Sequence, residues 1–384
     1  MIDFSSSLYL GMNHDSAALQ PWSKFTSGIP AVLGSPPGAD EAASRLAALQ
    51  GCQRGLLGRS TLDLFWDLLG LLAEGRNDIF FDAQTYPIAR WAAERAAARG
   101  ASVQTIGHHD VNMLKKLARN SARRGMRPVM IADGFCPGCG KAAPLVEYLD
   151  ALRKFGGLMI LDDTQALGIF GSSPTSDAPY GVGGGGTLRS SNIAGPDVLV
   201  VSSLAKGFGA PVAVIVGSEA MVRCFEARSE TRVHCSPPSI PAIRAAEHAL
   251  EINREQGDLL RSRLARLVQY FRRQTMNAGI HLFGGCFPMQ SLETVDAASV
   301  FERLVRLGIN PVLRHPRSSS MPRISFIVTC KHRQIDIDRA VAAIVCAMKQ
   351  VGAGRTRFSV IGPDHATADS NPRCDCAHDT LDRS

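Results

Sequence analysis

No apolar run in this 384-residue chain is long enough to cross a bilayer as a helix, which takes about 20 consecutive apolar residues. The opening stretch MIDFSSSLYLGMNHDS lacks the basic segment and apolar core of a secretory leader, so the expected location is the cytoplasm. No basic tract with interleaved aromatics is present. The 42 Lys and Arg outnumber the 35 Asp and Glu, but they are scattered, as between Arg119 and Arg127. That pattern argues against a nucleic-acid partner, and the surplus of +7 reads mainly as solvated surface. There is no internal repeat. The glycines between Gly168 and Gly195 do not sit between a strand and a helix in the dinucleotide-binding manner, so a flexible lid is expected there.

What is present is the composition of a globular protein, 45% hydrophobic and 20% charged, with material for a large core. The ten cysteines are spread along the chain and read as reduced thiols. Two local clusters stand out, Cys136-Pro-Gly-Cys139 and Cys374-Asp-Cys376 followed by His378. A CxxC is either a redox pair or half of a metal site. A matching second half is not evident unless the Cys374/Cys376/His378 tail folds back, so a tight turn without metal is expected.

Hydrophobic periodicity then divides the chain. Residues 1–38 are irregular and rich in Ser, Gly and Pro, and read as an arm laid over another surface. Ala39–Cys52 and Thr61–Ala73 are helical. Short apolar runs follow at 79–81, 102–106, 129–132 and 158–162, alternating with helical stretches at 87–99, 111–124 and 145–155. This alternation predicts an α/β architecture, a mostly parallel central sheet with helices on both faces. Further strands are expected at 198–201 and 212–216, with one or two long helices from Pro241 to Asn277. A smaller C-terminal α+β domain follows, with strands at 280–283, 289–292, 309–313 and 324–328 and helices at 297–307 and 335–351. The expected organisation is an arm (1–38), a large domain (39–255), a small domain (256–351) and a disordered tail (352–384).

Two strand ends carry chemistry. The run Val198–Val201 leads into Ser202-Ser203-Leu204-Ala205-Lys206-Gly207-Phe208-Gly209. A lysine at the end of a buried strand loses hydration, which disfavours the ammonium and makes the amine a nucleophile towards an aldehyde. The hydroxyls before it suit a phosphate, and the glycines after it allow a ring to approach. The run Leu158–Leu161 leads into Asp162-Asp163-Thr164-Gln165-Ala166-Leu167-Gly168. In open α/β sheets ligands bind beyond the carboxyl ends of strands. A carboxylate there can pair with a pyridinium nitrogen and keep the ring an electron sink. Taken alone, each stretch could equally be a surface lysine or a capped turn.

Together, an Asp-Asp-x-x-x-x-Gly strand end about forty residues before Ser-x-x-Lys-Gly resembles the pyridoxal 5'-phosphate (PLP)-dependent α-oxoamine synthases of the aminotransferase type I fold, over roughly residues 39–351. By this resemblance Lys206 is the lysine that holds PLP, and Asp162 meets the pyridine nitrogen. Ser203, Ser60 and Thr61 lie where the family contacts phosphate, and a helix start suits an anion on physical grounds as well. Tyr86 takes the place of the ring-stacking residue, usually His. His108-His109-Asp110 resembles a structural His-Asn-Asp stretch. Val233–Pro238 resembles the segment that reaches the other subunit's cofactor, implying a homodimer with shared active sites.

The chain also departs from the family. Gln165 stands where a His faces the cofactor's phenolic oxygen; its amide can donate a hydrogen bond but cannot act as acid or base near neutral pH. Of two arginines spaced by one residue, Arg323 matches the first and Ser325 the second, which leaves Arg323 as the candidate for a substrate carboxylate. The implied reaction is decarboxylative condensation of an amino acid with an acyl thioester, on CoA or a carrier protein. The rivals are an aminotransferase on the same fold, a scaffold that keeps only the fold, and an oxidoreductase using Cys136 and Cys139.

Overall fold

Short apolar runs set between helical stretches form the middle of a sheet when both of its faces are covered. The computed structural model describes residues 1–314 and 321–352. The segment expected to be a disordered tail, with Cys374, Cys376 and His378, lies outside the described residues beyond Gly352. After a two-residue strand β1 (Ile2–Asp3) come α1 (Ala39–Gln50), β2 (Arg54–Gly58), α2 (Thr61–Ala73), β3 (Asn77–Asp82), α3 (Pro87–Ala98), β4 (Ser102–Ile106) and α4 (Val111–Arg123). Next are β5 (Arg127–Asp133), a small hairpin of β6 (Phe135–Cys136) and β7 (Lys141–Ala142), α5 (Leu145–Arg153) and β8 (Leu158–Asp162). Then follow α6 (Thr187–Ser190), β9 (Val198–Ser203), β10 (Ala213–Gly217), α7 (Glu219–Arg228) and α8 (Glu230–His234).

Seven strands form one sheet in the order β2-β10-β9-β8-β5-β3-β4. From β9 to β4 every pairing is parallel, while β10 runs against both of its neighbours. The carboxyl ends of β2, β3, β4, β5, β8 and β9 therefore share one edge. Strand β2 was not expected from the sequence: with two glycines and only two leucines its pattern is weak, and it exists because β10 pairs with it along five residues. Side chains alternate between the two faces. Phe80, Met130, Met159 and Val200 join α1 and α5 in one core layer, and Ile79, Ile131, Ile160 and Val201 join α2, α3 and α7 in the other.

The chain continues as one 38-residue helix, α9 (Ile240–Asn277), capped by the Ser239 hydroxyl. A three-stranded antiparallel sheet follows, made of β11 (Met289–Glu293), β13 (Val312–Arg314) and β14 (Arg323–Ile327). Beside it lie α10 (Ala297–Arg306), β12 (Ile309–Asn310) and α11 (Gln334–Gly352). Residues 280–283, expected as a strand, contribute only a single bridge from Phe283 to Ser291.

The start of the chain packs on the rest of this fold: β1 pairs in parallel with β12, and Phe4, Tyr9, Leu10 and Met12 are buried. One expectation needs correction. Much of the Gly-rich stretch after Gly168 is packed on the fold, and several of its glycines sit where a Cβ would collide, although Gly183, at φ +85°, faces open space. A Cβ on Gly171 would lie 1.9 Å from the Val182 carbonyl oxygen, and one on Gly186 would lie 2.0 Å from Asp163 Oδ2. Tyr180 in this stretch is buried and donates its hydroxyl to the Cys286 carbonyl at 2.6 Å.

Phe65 of α2 is fully buried between the sheet and α3. Phe65→Ala is expected to lower stability by about 3–5 kcal/mol. A reduced midpoint in urea denaturation is the readout; an unchanged midpoint would contradict the packing described.

Candidate active site

Three strands that are neighbours in the sheet, β8, β5 and β3, each end on an aspartate: Asp162, Asp133 and Asp82. Asp133 and Asp162 lie on one face of the sheet, whereas Asp82, one residue out of register with Asp133, lies on the other. Asp133 and Asp162 are direct register partners. Asp162 is 5% exposed, and its Oδ1 accepts the Thr164 N–H at 3.0 Å. Burial raises its pKa, while the Thr164 hydrogen bonds and the Lys206 cation work the other way. Asp133 accepts the Tyr86 N–H at 3.0 Å, and burial followed by the neighbouring Asp162 pushes its pKa well above the usual carboxylate range.

The cation beside this pair is Lys206. It sits in the tight turn after β9, which is anchored by the buried side chains of Leu204 and Phe208. A Cβ on Gly207 would lie 2.4 Å from the Leu167 carbonyl oxygen, which keeps that position glycine. Lys206 Nζ lies 5.6 Å from the centre of the Tyr86 ring. Burial lowers its pKa, and Asp162 and then Asp133 push it back up. The fold thus brings Lys206, Asp162 and Tyr86 together as the sequence suggested, and it adds Asp133, which the sequence reading missed. The signal was available: Asp133 closes an apolar run just as Asp162 does.

The other predicted residues surround this centre. The Ser203 N–H donates to Thr164 Oγ1 at 3.0 Å, and its hydroxyl accepts the Ala205 N–H at 3.3 Å. Gln165 Oε1 accepts the hydroxyl of buried Tyr9 at 2.8 Å, which leaves the amide N–H groups to donate elsewhere. Tyr9 is a second residue that sequence reasoning did not identify. Ser60 caps α2, accepting the Asp63 N–H at 3.2 Å, and Thr61 begins that helix. They lie on the same edge as Ser203, two strands away, because Gly58 is level with Ala213 and Ala213 with Ser203. Arg323 stands apart on β14. Its Nε donates to Glu293 Oε1 at 2.6 Å and its Nη1 to the Gly138 carbonyl at 3.1 Å, so its charge is already met by a carboxylate.

These groups fit PLP by their chemistry. Lys206 is an amine of lowered basicity, and Asp162 is a buried carboxylate able to share a proton with a ring nitrogen. Tyr86 supplies an aromatic face. The positive end of α2, with the hydroxyls of Ser60, Thr61 and Ser203 on the same edge, suits a phosphate dianion.

The chain is similar to known proteins along most of its length. The family model for aminotransferase class I and II matches residues 1–344. The 8-amino-7-oxononanoate synthase of Geobacter sulfurreducens is 27% identical over 255 residues, 64% of this chain and 61% of that one. The enzyme of the same name from Pseudescherichia vulneris is 24% identical over 355 residues, covering 89% of this chain and 88% of the relative. Among solved structures, serine palmitoyltransferase of Sphingomonas wittichii superposes with a TM-score of 0.80 at 17% identity, covering 91% of this chain and 88% of that one. That likeness shows the fold.

Asp163, next to the centre, is 1% exposed and accepts the Thr187 hydroxyl at 2.6 Å and the Thr187 N–H at 2.8 Å. Burial raises its pKa from the usual 3.8 to about 7, only partly offset by those hydrogen bonds. The folded state therefore binds more protons here than the unfolded chain. Its contribution to stability is present in acid and is lost as pH rises through the interval from 3.8 to about 7. Asp163→Asn is expected to flatten that part of the stability profile in urea denaturation of the cofactor-free protein. An unchanged slope would sink this assignment.

Proposed function

The chain belongs to the aminotransferase class I and II family and is a PLP-dependent enzyme of the type I fold, and on that premise we propose that it condenses an amino acid with an acyl thioester, with loss of carbon dioxide, as an α-oxoamine synthase. The observation that carries this reading is Lys206, its basicity lowered by burial, set beside the Tyr86 ring and the Asp162 and Asp133 carboxyls. The motif order from Asp162 to Lys206 and the names of the relatives, 8-amino-7-oxononanoate synthase among them, favour condensation over transamination.

When bound, PLP supplies an aldehyde that takes up amines and a protonated ring that accepts the electron pair released as a bond to the substrate Cα breaks. The residues of this chain do the rest. Asp162 holds a proton at the ring nitrogen through the negative charge of its carboxylate, which the Thr164 hydrogen bonds and the Lys206 cation help to keep ionised against burial. Ser60, Thr61 and Ser203 bind the phosphate, and Tyr86 covers one ring face. Lys206 accepts and returns the substrate proton at Nζ, a task helped by burial that lowers its basicity. Gln165 orients by donating an N–H, with its carbonyl fixed by Tyr9. Because an amide cannot take a proton, proton transfer falls on Lys206. Arg323 meets the substrate carboxylate by exchanging it for Glu293. Val233–Pro238 reaches the other subunit's cofactor in a homodimer. The proposed location is the cytoplasm; among the described residues no helix is long and apolar enough to cross a membrane.

Titrating the PLP-loaded protein with a panel of amino acids, without thioester, should change the absorbance with one of them while the cofactor is recovered as PLP. Recovery of pyridoxamine phosphate together with a 2-oxo acid would make the protein an aminotransferase. Lys206→Ala is expected to abolish fixation of PLP by borohydride reduction and to cut turnover by about 100-fold or more. Full turnover by that variant would rule the scheme out.

A further inference from the structure

On the sheet face opposite Asp133 and Asp162, Asp82 sits in a cluster that the proposed reaction does not use. In the sheet, β3 lies between β5 and β4. Asp82 closes β3, the turn after β4 carries His108 and His109, and the hairpin after β5 carries Cys136 and Cys139. Segments far apart in sequence thus converge around one carboxylate. His108 Nε2 lies 3.2 Å from Cys139 Sγ. One ligand atom from each of His108, His109 and Cys139 lies within 4.8 Å of the other two. Cys136, three residues before Cys139 in the same hairpin, is buried, and its carbonyl lies 3.8 Å from Cys139 Sγ.

Asp82 organises this group. Its Oδ1 lies 2.8 Å from His108 Nδ1, which leaves Nε2 for the sulfur side. Its Oδ2 accepts the His109 N–H at 2.8 Å and the Tyr148 hydroxyl at 3.3 Å. His109 is thereby held at φ +57°, a left-handed conformation uncommon for a residue other than glycine. Such strain persists where the surroundings enforce it, and it clusters at functional positions. The hairpin is closed by the Gly140 N–H donating to the Cys136 carbonyl at 2.9 Å, with Gly140 at φ +73°.

We propose that Cys136, Cys139, His108 and His109 bind a zinc ion in a closed tetrahedral site, with Asp82 as the carboxylate that orients His108. Two thiolates and two imidazoles are the donor set of structural zinc, and the Cys-x-x-Cys spacing is that of such sites. A carboxylate on the outer nitrogen of a ligating histidine is its usual companion. Zinc held by thiolates displaces the thiol protons, so uptake releases protons. Four protein ligands leave no open position, which makes the ion structural. It clamps the hairpin, whose Gly138 carbonyl receives Arg323, onto the turn between β4 and α4.

Elemental analysis of the purified, PLP-loaded protein should find one zinc per chain. After chelator treatment and refilling with cobalt(II), the protein should show thiolate-to-cobalt charge transfer and the intense visible bands of a tetrahedral site. Cys136→Ser and Cys139→Ser should each lose the zinc, whereas Cys224→Ser, at an exposed position elsewhere, should keep it. Asp82→Asn should weaken zinc binding by about 10–100-fold in competition with a chromophoric chelator. Absorbance of bound PLP reports folding of each variant separately from metal content. Should the cysteine variants fail to fold, the zinc content and cobalt spectrum of the unmodified chain decide alone. A metal-free protein without a cobalt–thiolate band would overturn the proposal. So would a Cys136–Cys139 disulfide in place of metal, or folded cysteine variants that keep full zinc.

Discussion

Burying either Lys206 or Asp162 alone would strand a charge away from water, at a cost that a folded protein can seldom carry. With Lys206 half-buried beside the buried Asp162, each offsets part of the other's desolvation, and each is left less strongly charged than it would be in solvent. Much of the molecule serves this pairing. The two core layers hide both faces of the sheet, so polar groups can emerge only at the strand ends. The reversed strand β10 brings β2 and the start of α2 to the same edge. The packed stretch from Gly168 to Thr187 holds Asp163, the immediate neighbour of Asp162, out of solvent.

What could be read from the sequence was whatever lies within one run of residues. Lys206 and Asp162 each close an apolar strand, and Ser60 precedes a strongly apolar helix, so local pattern was enough to single them out. The mostly parallel sheet followed from strands alternating with helices. Strand β2 was not legible, because its pairing with β10 decides it more than its own composition does. Tyr9 could not be placed, because the irregular segment around it gives no hint that it reaches Gln165, 156 positions away. The glycines after Gly168 were misread for a related reason: composition cannot tell a glycine that permits motion from one that permits contact. Cys136 and Cys139 looked like half of a site because their partners depend on strand order, which brings the turn after β4 to the hairpin after β5.

Two substitutions relative to the α-oxoamine synthase pattern now have a physical setting. Gln165 is locked by a tyrosine hydroxyl, which fixes which end of its amide is free. Tyr86 is tied through its backbone to Asp133 and through its ring to Lys206, so it is part of the electrostatic centre as well as a stacking surface.

The opening residues act as a mechanical linkage. Ile2 and Asp3 are stitched to Ile309 and Asn310, the Phe4 ring lies 4.3 Å from that of His332, and Tyr9 grips Gln165. Between the first stitch and the last grip there are few residues and little slack. The first nine residues thus connect strand β12, through backbone pairing and one side-chain hydrogen bond, to the amide of Gln165.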